Sequence, residues 1–150
     1  MKPHSIDISE KNGLRYLHFG SNWVQGAMRI KRPFDLELAY AQDMMFGLLL
    51  RAQSPEAITT GWPKNVLQIG LGAGSLVKWC HRHLPETKVT AVEINPGVYA
   101  AARQFFNLPS DDDRLEIIIG DGVQYLQESL DKWDLILLDG YDAEGRSGAL

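Results

Sequence analysis

The sequence predicts an α/β fold organised around an open parallel sheet, and three observations carry that reading. Four apolar runs, at residues 66–69, 88–94, 115–120 and 133–138, alternate with helix-like segments, the order that right-handed β-α-β crossovers produce. The runs are nearly continuous in Val, Ile and Leu, which marks strands covered on both faces. Each ends in glycine or a carboxylate, at Gly70, Glu93, Asp121 and Asp139. Ligands of such sheets bind beyond the carboxyl ends of the strands, so these residues gather at one edge and read as a nucleoside-type site.

At 150 residues the chain has the length of one domain with a single core. With 45% hydrophobic and 23% charged residues it has a globular rather than a disordered composition. A net charge of -4 removes any general attraction to nucleic acid, and no such partner is expected. No apolar run approaches the ~20 residues that span a bilayer, so no membrane partner is expected either. Residues 1–7 lack the apolar segment of a signal peptide, which makes a cytoplasmic protein the expectation. The single cysteine, Cys80, excludes an intrachain disulfide and a cysteine-based zinc site.

In chain order, residues 14–19 and 23–30 predict two short strands joined by the turn residues Gly20, Ser21 and Asn22. Residues 1–32 are thus expected to form an N-terminal β-hairpin segment, and 33–150 the nucleoside-binding domain. A helix is predicted from Asp35 to about Ala52, buried along its nearly all-apolar stretch 44–50. Residues 54–63 are rich in breakers and form a loop into the first strand of the main sheet. Helices follow at 76–84, stopped by Pro85, at 96–106, opened by Pro96, and at 122–130. The aspartates Asp111, Asp112 and Asp113 are expected to be solvated rather than metal-binding. The chain stops soon after its fourth strand, with no helix to follow it. One face of the sheet is therefore expected to lie bare, as in a portion of a longer protein.

Gly70, Gly72 and Gly74 let the backbone turn tightly and approach a ligand closely, and the helix behind them offers its N-terminal amides to a polar group. A dinucleotide fingerprint would want its third glycine where this chain has Ser75. Glu93, roughly twenty residues on, stands where nucleoside-binding α/β folds accept hydrogen bonds from both ribose hydroxyls. Asp121, with Gly122, can accept from an adenine amino group, cap the following helix, or do both. Asp139 can take a proton from an attacking nucleophile or hold a cationic amine, and Asp142 can hold a second amine. His81 and His83, two apart on one helix, point to different faces and cannot jointly chelate a metal. Cys80 reads as packing, and Ser75 has no histidine partner for nucleophilic chemistry.

Together these residues resemble the spermidine synthase (polyamine aminopropyltransferase) family, whose fold is the Rossmann-like parallel sheet of class I S-adenosylmethionine-dependent methyltransferases. The likeness runs from the N-terminal hairpin to about Asp142 and is strongest at 66–75, 89–94, 120–122 and 133–139. It implies a donor, decarboxylated S-adenosylmethionine, held by the glycine loop, with Glu93 on the ribose and Asp121 and Gly122 at the adenine. It implies Asp139 as the base that frees a small-molecule amine acceptor to attack the aminopropyl carbon. Gln25 resembles the family's glutamine near the donor's sulfur end, and Gln42-Asp43-Met44 its Gln/His-Glu-Met segment. Tyr141 and Asp142 fall where the family has a second, substrate-binding aspartate. No metal is implied.

Three departures mark this chain. The family's glycine loop carries an aspartate at the position of Ala73, holding the ammonium of the decarboxylated donor. Its tyrosine directly precedes the position of Gln42, where this chain has Ala41, with Tyr40 one place earlier. One helical place is about 100° of rotation, so Tyr40 is expected to face elsewhere. The segment after Asp142 that completes the family's pocket is absent. Two alternatives therefore stand beside aminopropyl transfer: methyl transfer from intact S-adenosylmethionine on the same fold, and a non-catalytic nucleoside-binding or oligomerisation module. The hairpin and the bare sheet face make a homo-oligomer an expectation as well.

Overall fold

The computed structural model describes residues 5–51 and 61–140, which form two sheets and four helices. The parallel sheet has the order β6-β5-β4-β7, from β4 (Asn65–Ile69), β5 (Lys88–Glu93), β6 (Leu115–Ile119) and β7 (Leu135–Leu138). Helices α2 (Ser75–His83), α3 (Pro96–Phe105) and α4 (Gly122–Glu128) form its crossovers. The sequence-predicted strands and crossover helices recur with ends displaced by at most two residues. The reason is physical: each apolar run is cut by a glycine or by a carboxylate that cannot remain in the core unpaired.

The sheet separates two apolar layers. On one face, Val66, Val89, Ala91, Leu115 and Leu137 pack with Ala41, Met45 and Leu48 of α1 (Ala39–Arg51) and with Leu76, Val77, Cys80 and Leu84. On the other, Leu67, Ile69 and Val92 meet Tyr125, Leu126 and Trp133. Among the described residues the cover there is incomplete. Ile136 and Leu138, paired with Leu67 and Ile69 across the β4–β7 ladder, remain 44% and 51% exposed. Strands covered on both faces therefore describe β4 and β5, and β7 departs from the pattern.

The N-terminal region is a three-stranded antiparallel sheet rather than a hairpin. It comprises β1 (Ile6–Lys11), β2 (Leu14–Phe19) and β3 (Gly26–Arg29) in that order. Asn12 and Gly13 both take positive φ, 53° and 77°, which is the geometry of the tight turn that joins twisted antiparallel strands. Strand β3 is also shorter than the predicted 23–30, because residues 23–25 belong to the connection. Leu17 and Met28 pack with Val98, Ala101 and Phe106, so this sheet shares its core with α3. Its docking is close: a Cβ on Gly97 would sit 2.8 Å from Ile6 Cδ1.

Helix α1 begins at Ala39 rather than Asp35. The intervening carboxylates are engaged elsewhere: Glu37 forms an ion pair with Arg29 of β3, and Asp35 one with Arg32. The aspartates at 111–113 are exposed, yet two of them shape their loop. Asp111 accepts from the Ile117 amide at 3.0 Å, and Asp112 accepts from the Arg114 amide and meets the His81 ring at 2.8 Å. Cys80 is fully buried, and burial pushes its thiol up to about 12, in keeping with a packing role.

Candidate functional site

The site is built where β4, β5 and β7 end side by side. Gly70 leaves β4 with φ 87°, and its amide still donates to Val92 O at 2.8 Å. A Cβ there would lie 2.4 Å from Asp139 O and 2.9 Å from Gly140 Cα. Glycine is thus required twice over, by the left-handed backbone and by the approach of the β7 end. Gly72 and Gly74 also take positive φ, and Gly74 stands at the start of α2 with no side chain capping its first turn. The uncapped amides of that turn are the ones a polar ligand group can meet.

Glu93 ends β5 buried, 7% exposed, beneath this loop. Its Oε2 accepts from the Leu71 amide at 2.8 Å and its Oε1 from the Asn95 amide at 2.9 Å. Burial raises the pKa of this carboxyl, and the backbone amides of Asn95, Leu71, Gly72 and Ile94 work against that rise. The glutamate therefore holds the glycine loop in shape, a role the sequence did not show.

Asp121 caps α4, accepting from the Val123 and Gln124 amides through Oδ1 at 2.8 and 3.1 Å. Those bonds use one oxygen, so the cap leaves the second carboxylate oxygen for a ligand. Gly122 lets α4 close on β4, since a Cβ there would lie 2.4 Å from Ile69 Cγ2.

Asp139 continues the β7 ladder, its amide donating to Ile69 O at 2.8 Å. Its carboxyl is pushed up to about 6 by burial, against which the hydroxyl of Tyr40 acts. Tyr40 donates to Asp139 Oδ2 at 3.3 Å, which overturns the expectation that this tyrosine faces elsewhere. The helical phase explains it. Ala41 is 1% exposed in the core beside Val66 and Leu137, and that inward turn leaves the preceding residue at the sheet edge. A tyrosine at position 41 would have nowhere to go.

The remaining candidates divide. Gln25 is brought to the loop: its carbonyl lies 3.4 Å from where a Cβ on Gly72 would stand. Gln42 is exposed, and its amide turns back to donate to Leu36 O at 2.7 Å. Tyr141 and Asp142 lie outside the described residues. One neighbour was missed by sequence reasoning. Gln68, 1% exposed in β4, donates to Gly70 O at 2.7 Å and so steadies the turn from below. A polar residue inside the otherwise apolar run 66–69 was the signal.

Comparison with known proteins now bears on this arrangement. A family model described as the spermine/spermidine synthase domain matches residues 42–150. The chain belongs to the spermine/spermidine synthase family. A polyamine aminopropyltransferase of Neisseria meningitidis is 42% identical over 139 residues, which are 93% of this chain and 50% of that relative. The chain thus spans about half the length of this family relative. Among solved structures, human methyltransferase-like protein 13 in complex with SAH has a TM-score of 0.61 at 33% identity, covering 67% of this chain and 46% of that one. A spermidine synthase in complex with the transition state analogue AdoDATO has a TM-score of 0.57 at 24% identity, covering 97% and 49%. Both likenesses place the parallel sheet in the Rossmann-like, methyltransferase-type fold.

Proposed function

We propose that this chain binds an adenosyl sulfonium donor, decarboxylated S-adenosylmethionine, and transfers its aminopropyl group to a small amine. The observation that carries the reading is Asp139, a carboxyl raised to about 6 and held by Tyr40 beside the Gly70 turn. Such a group is ionised at neutral pH and can accept a proton there.

The residues fit the donor. The Gly70 cradle has no room for a side chain, Glu93 offers acceptors for ribose hydroxyls, and Asp121 an oxygen for the adenine amino group. The amine nitrogen attacks the carbon beside the sulfonium, forming N–C as C–S breaks. Sulfur keeps the bonding pair and leaves as the neutral thioether of methylthioadenosine, and the amine proton passes to Asp139. The donor is already activated, so alignment contributes most, up to about 7–11 kcal/mol in favourable cases. General base catalysis adds about 10²–10⁴-fold. The acceptor's distant ammonium wants an anionic partner, the role proposed for Asp142 with Tyr141. The amine acceptor, the cytoplasmic location and a homo-oligomeric state belong to the same proposal.

A second reading, methyl transfer from intact S-adenosylmethionine, is favoured by one feature. Ala73 is 3% exposed within the apolar cluster of Leu17 and Met28, so residue 73 offers no carboxylate to an ammonium. Calorimetric titration with both donors, followed by product analysis with a diamine, separates the readings. Aminopropylated amine with methylthioadenosine supports the first, and methylated amine supports the second. Absence of binding by any adenosyl ligand contradicts both.

A further inference from the structure

The outer face of the N-terminal sheet carries polar side chains that the donor site does not use. Along β1 and β2, Ile6, Ile8, Leu17 and Phe19 turn to the core shared with α3. Strand alternation sends Asp7, Ser9 and His18 to the opposite face. In the β1–β2 register Asp7 pairs with His18 and Ser9 with Tyr16, so Ser9 and His18 are diagonal neighbours. Ser9 Oγ and His18 Nε2 meet at 2.9 Å.

The connection after β2 fixes the ring. It doubles back, with the Gln25 amide donating to Leu17 O at 2.8 Å, and brings Trp23 O to 3.1 Å from His18 Nδ1. A carbonyl only accepts, so this contact puts the ring proton on Nδ1. In the neutral ring Nε2 then keeps its lone pair and accepts from the Ser9 hydroxyl. A nucleophile, a base within hydrogen-bond reach and a third group that orients the base are the parts of an activated serine. They border an open cavity of about 490 Å³ lined by Asp7, Ser9, His18, Gly20, Ser21 and Asn22, inside the ~300–1,000 Å³ range of small-ligand sites. One of these six residues is a carboxylate and none is a lysine or arginine, so the cavity suits a neutral or cationic molecule. None of the six ends a strand of the parallel sheet.

We propose that Ser9 and His18 form a second site, which takes a small neutral or cationic acyl ester and transfers its acyl group to Ser9. The Ser9 oxygen attacks the ester carbonyl as its proton passes to His18 Nε2, and the imidazolium keeps its bond to Trp23 O. The tetrahedral adduct collapses with loss of the alcohol, whose oxygen takes that proton from Nε2. Water then adds to the acyl-serine by the same route, releasing the carboxylic acid and restoring Ser9. No residue of the Gly70 turn takes part, so the inference stands apart from the adenosyl-donor reading.

A neutral alkyl fluorophosphonate tests this, because it bonds to an activated serine with loss of fluoride and is not released. Mass spectrometry of peptides from the unaltered protein is expected to place the phosphonyl group on Ser9. His18→Gln should slow that labelling by at least ~10²-fold, and Ser9→Ala should lose the hydrolysis of p-nitrophenyl acetate. An unlabelled Ser9, or labelling of other serines at the same rate, overturns the activated serine. Equal ester hydrolysis by Ser9→Ala and the unaltered protein overturns the acyl-transfer reading. If a substituted chain fails to fold, the labelled position in the unaltered protein still decides.

Discussion

The hydroxyl of Tyr40 stands 3.3 Å from Asp139 Oδ2, joining the first turn of α1 to the end of β7. The bond favours the ionised carboxylate and so opposes the rise that burial imposes. Tyr40→Phe removes that opposition, and the Asp139 pKa moves further up. If Asp139 is the base, the acid limb of kcat/KM against pH shifts to higher pH in Tyr40→Phe. A limb that stays in place would show that the tyrosine does not act through this carboxyl.

Asp139→Asn keeps the shape and removes the base. Donor affinity is expected to stay near that of the unaltered protein while turnover is lost. Stability moves in a defined direction. The folded pKa of Asp139 lies above its unfolded value, so between about pH 4 and 6 the folded state holds more protons. The carboxylate's contribution to stability therefore falls as pH rises through that window, and the asparagine variant escapes the fall. Denaturant melts on both proteins at the two ends of the window test this, and identical pH slopes would count against it.

Glu93 supports the loop and is the residue proposed to hold the ribose, so Glu93→Ala should weaken every adenosyl ligand alike. Each charge-assisted bond lost is worth about 1.5–3 kcal/mol. The loss should also loosen residues 71–72, whose amides the carboxylate holds. Amide hydrogen exchange should therefore speed up at Leu71 in the ligand-free protein. Unchanged exchange there would mean that the carboxylate is not the anchor.

Lys78 is buried, 1% exposed, with Nζ donating to Phe106 O at 2.7 Å and a pKa lowered by burial to about 8. A base with a depressed folded pKa binds fewer protons folded than unfolded between about pH 8 and 10.5. Its contribution to stability thus rises with pH across that range. Lys78→Met should flatten this slope, measured by denaturant melts against the unaltered protein. A slope equal in both would remove Lys78 as its source.

The parallel sheet was legible because its strands are marked twice, by continuous apolar residues and by the glycine or carboxylate that stops each. Glu93, Asp121 and Asp139 were legible because topology alone sends strand ends to one edge. Tyr40 was not. Its direction depends on the phase of α1, and that phase is set by Ala41 packing in the core rather than by spacing to Gln42. The loop-holding role of Glu93 was equally hidden, since the amides it holds belong to a loop whose path only the folded backbone defines. Strand β1 had two readable signals, the turn residues Asn12-Gly13 and the apolar–polar alternation Ile6-Asp7-Ile8-Ser9, and sequence reasoning passed over both.

The central claim is that Asp139 takes the proton of an amine attacking a donor held over the Gly70 turn. Single-turnover release of methylthioadenosine from decarboxylated S-adenosylmethionine and a diamine tests it most directly, with the unaltered protein and Asp139→Asn compared at saturating donor. The account predicts one equivalent of aminopropylated amine per methylthioadenosine, a rate that rises with pH through about 6, and loss of at least ~10²-fold in the variant. Equal release rates from the two proteins at saturating donor would contradict it.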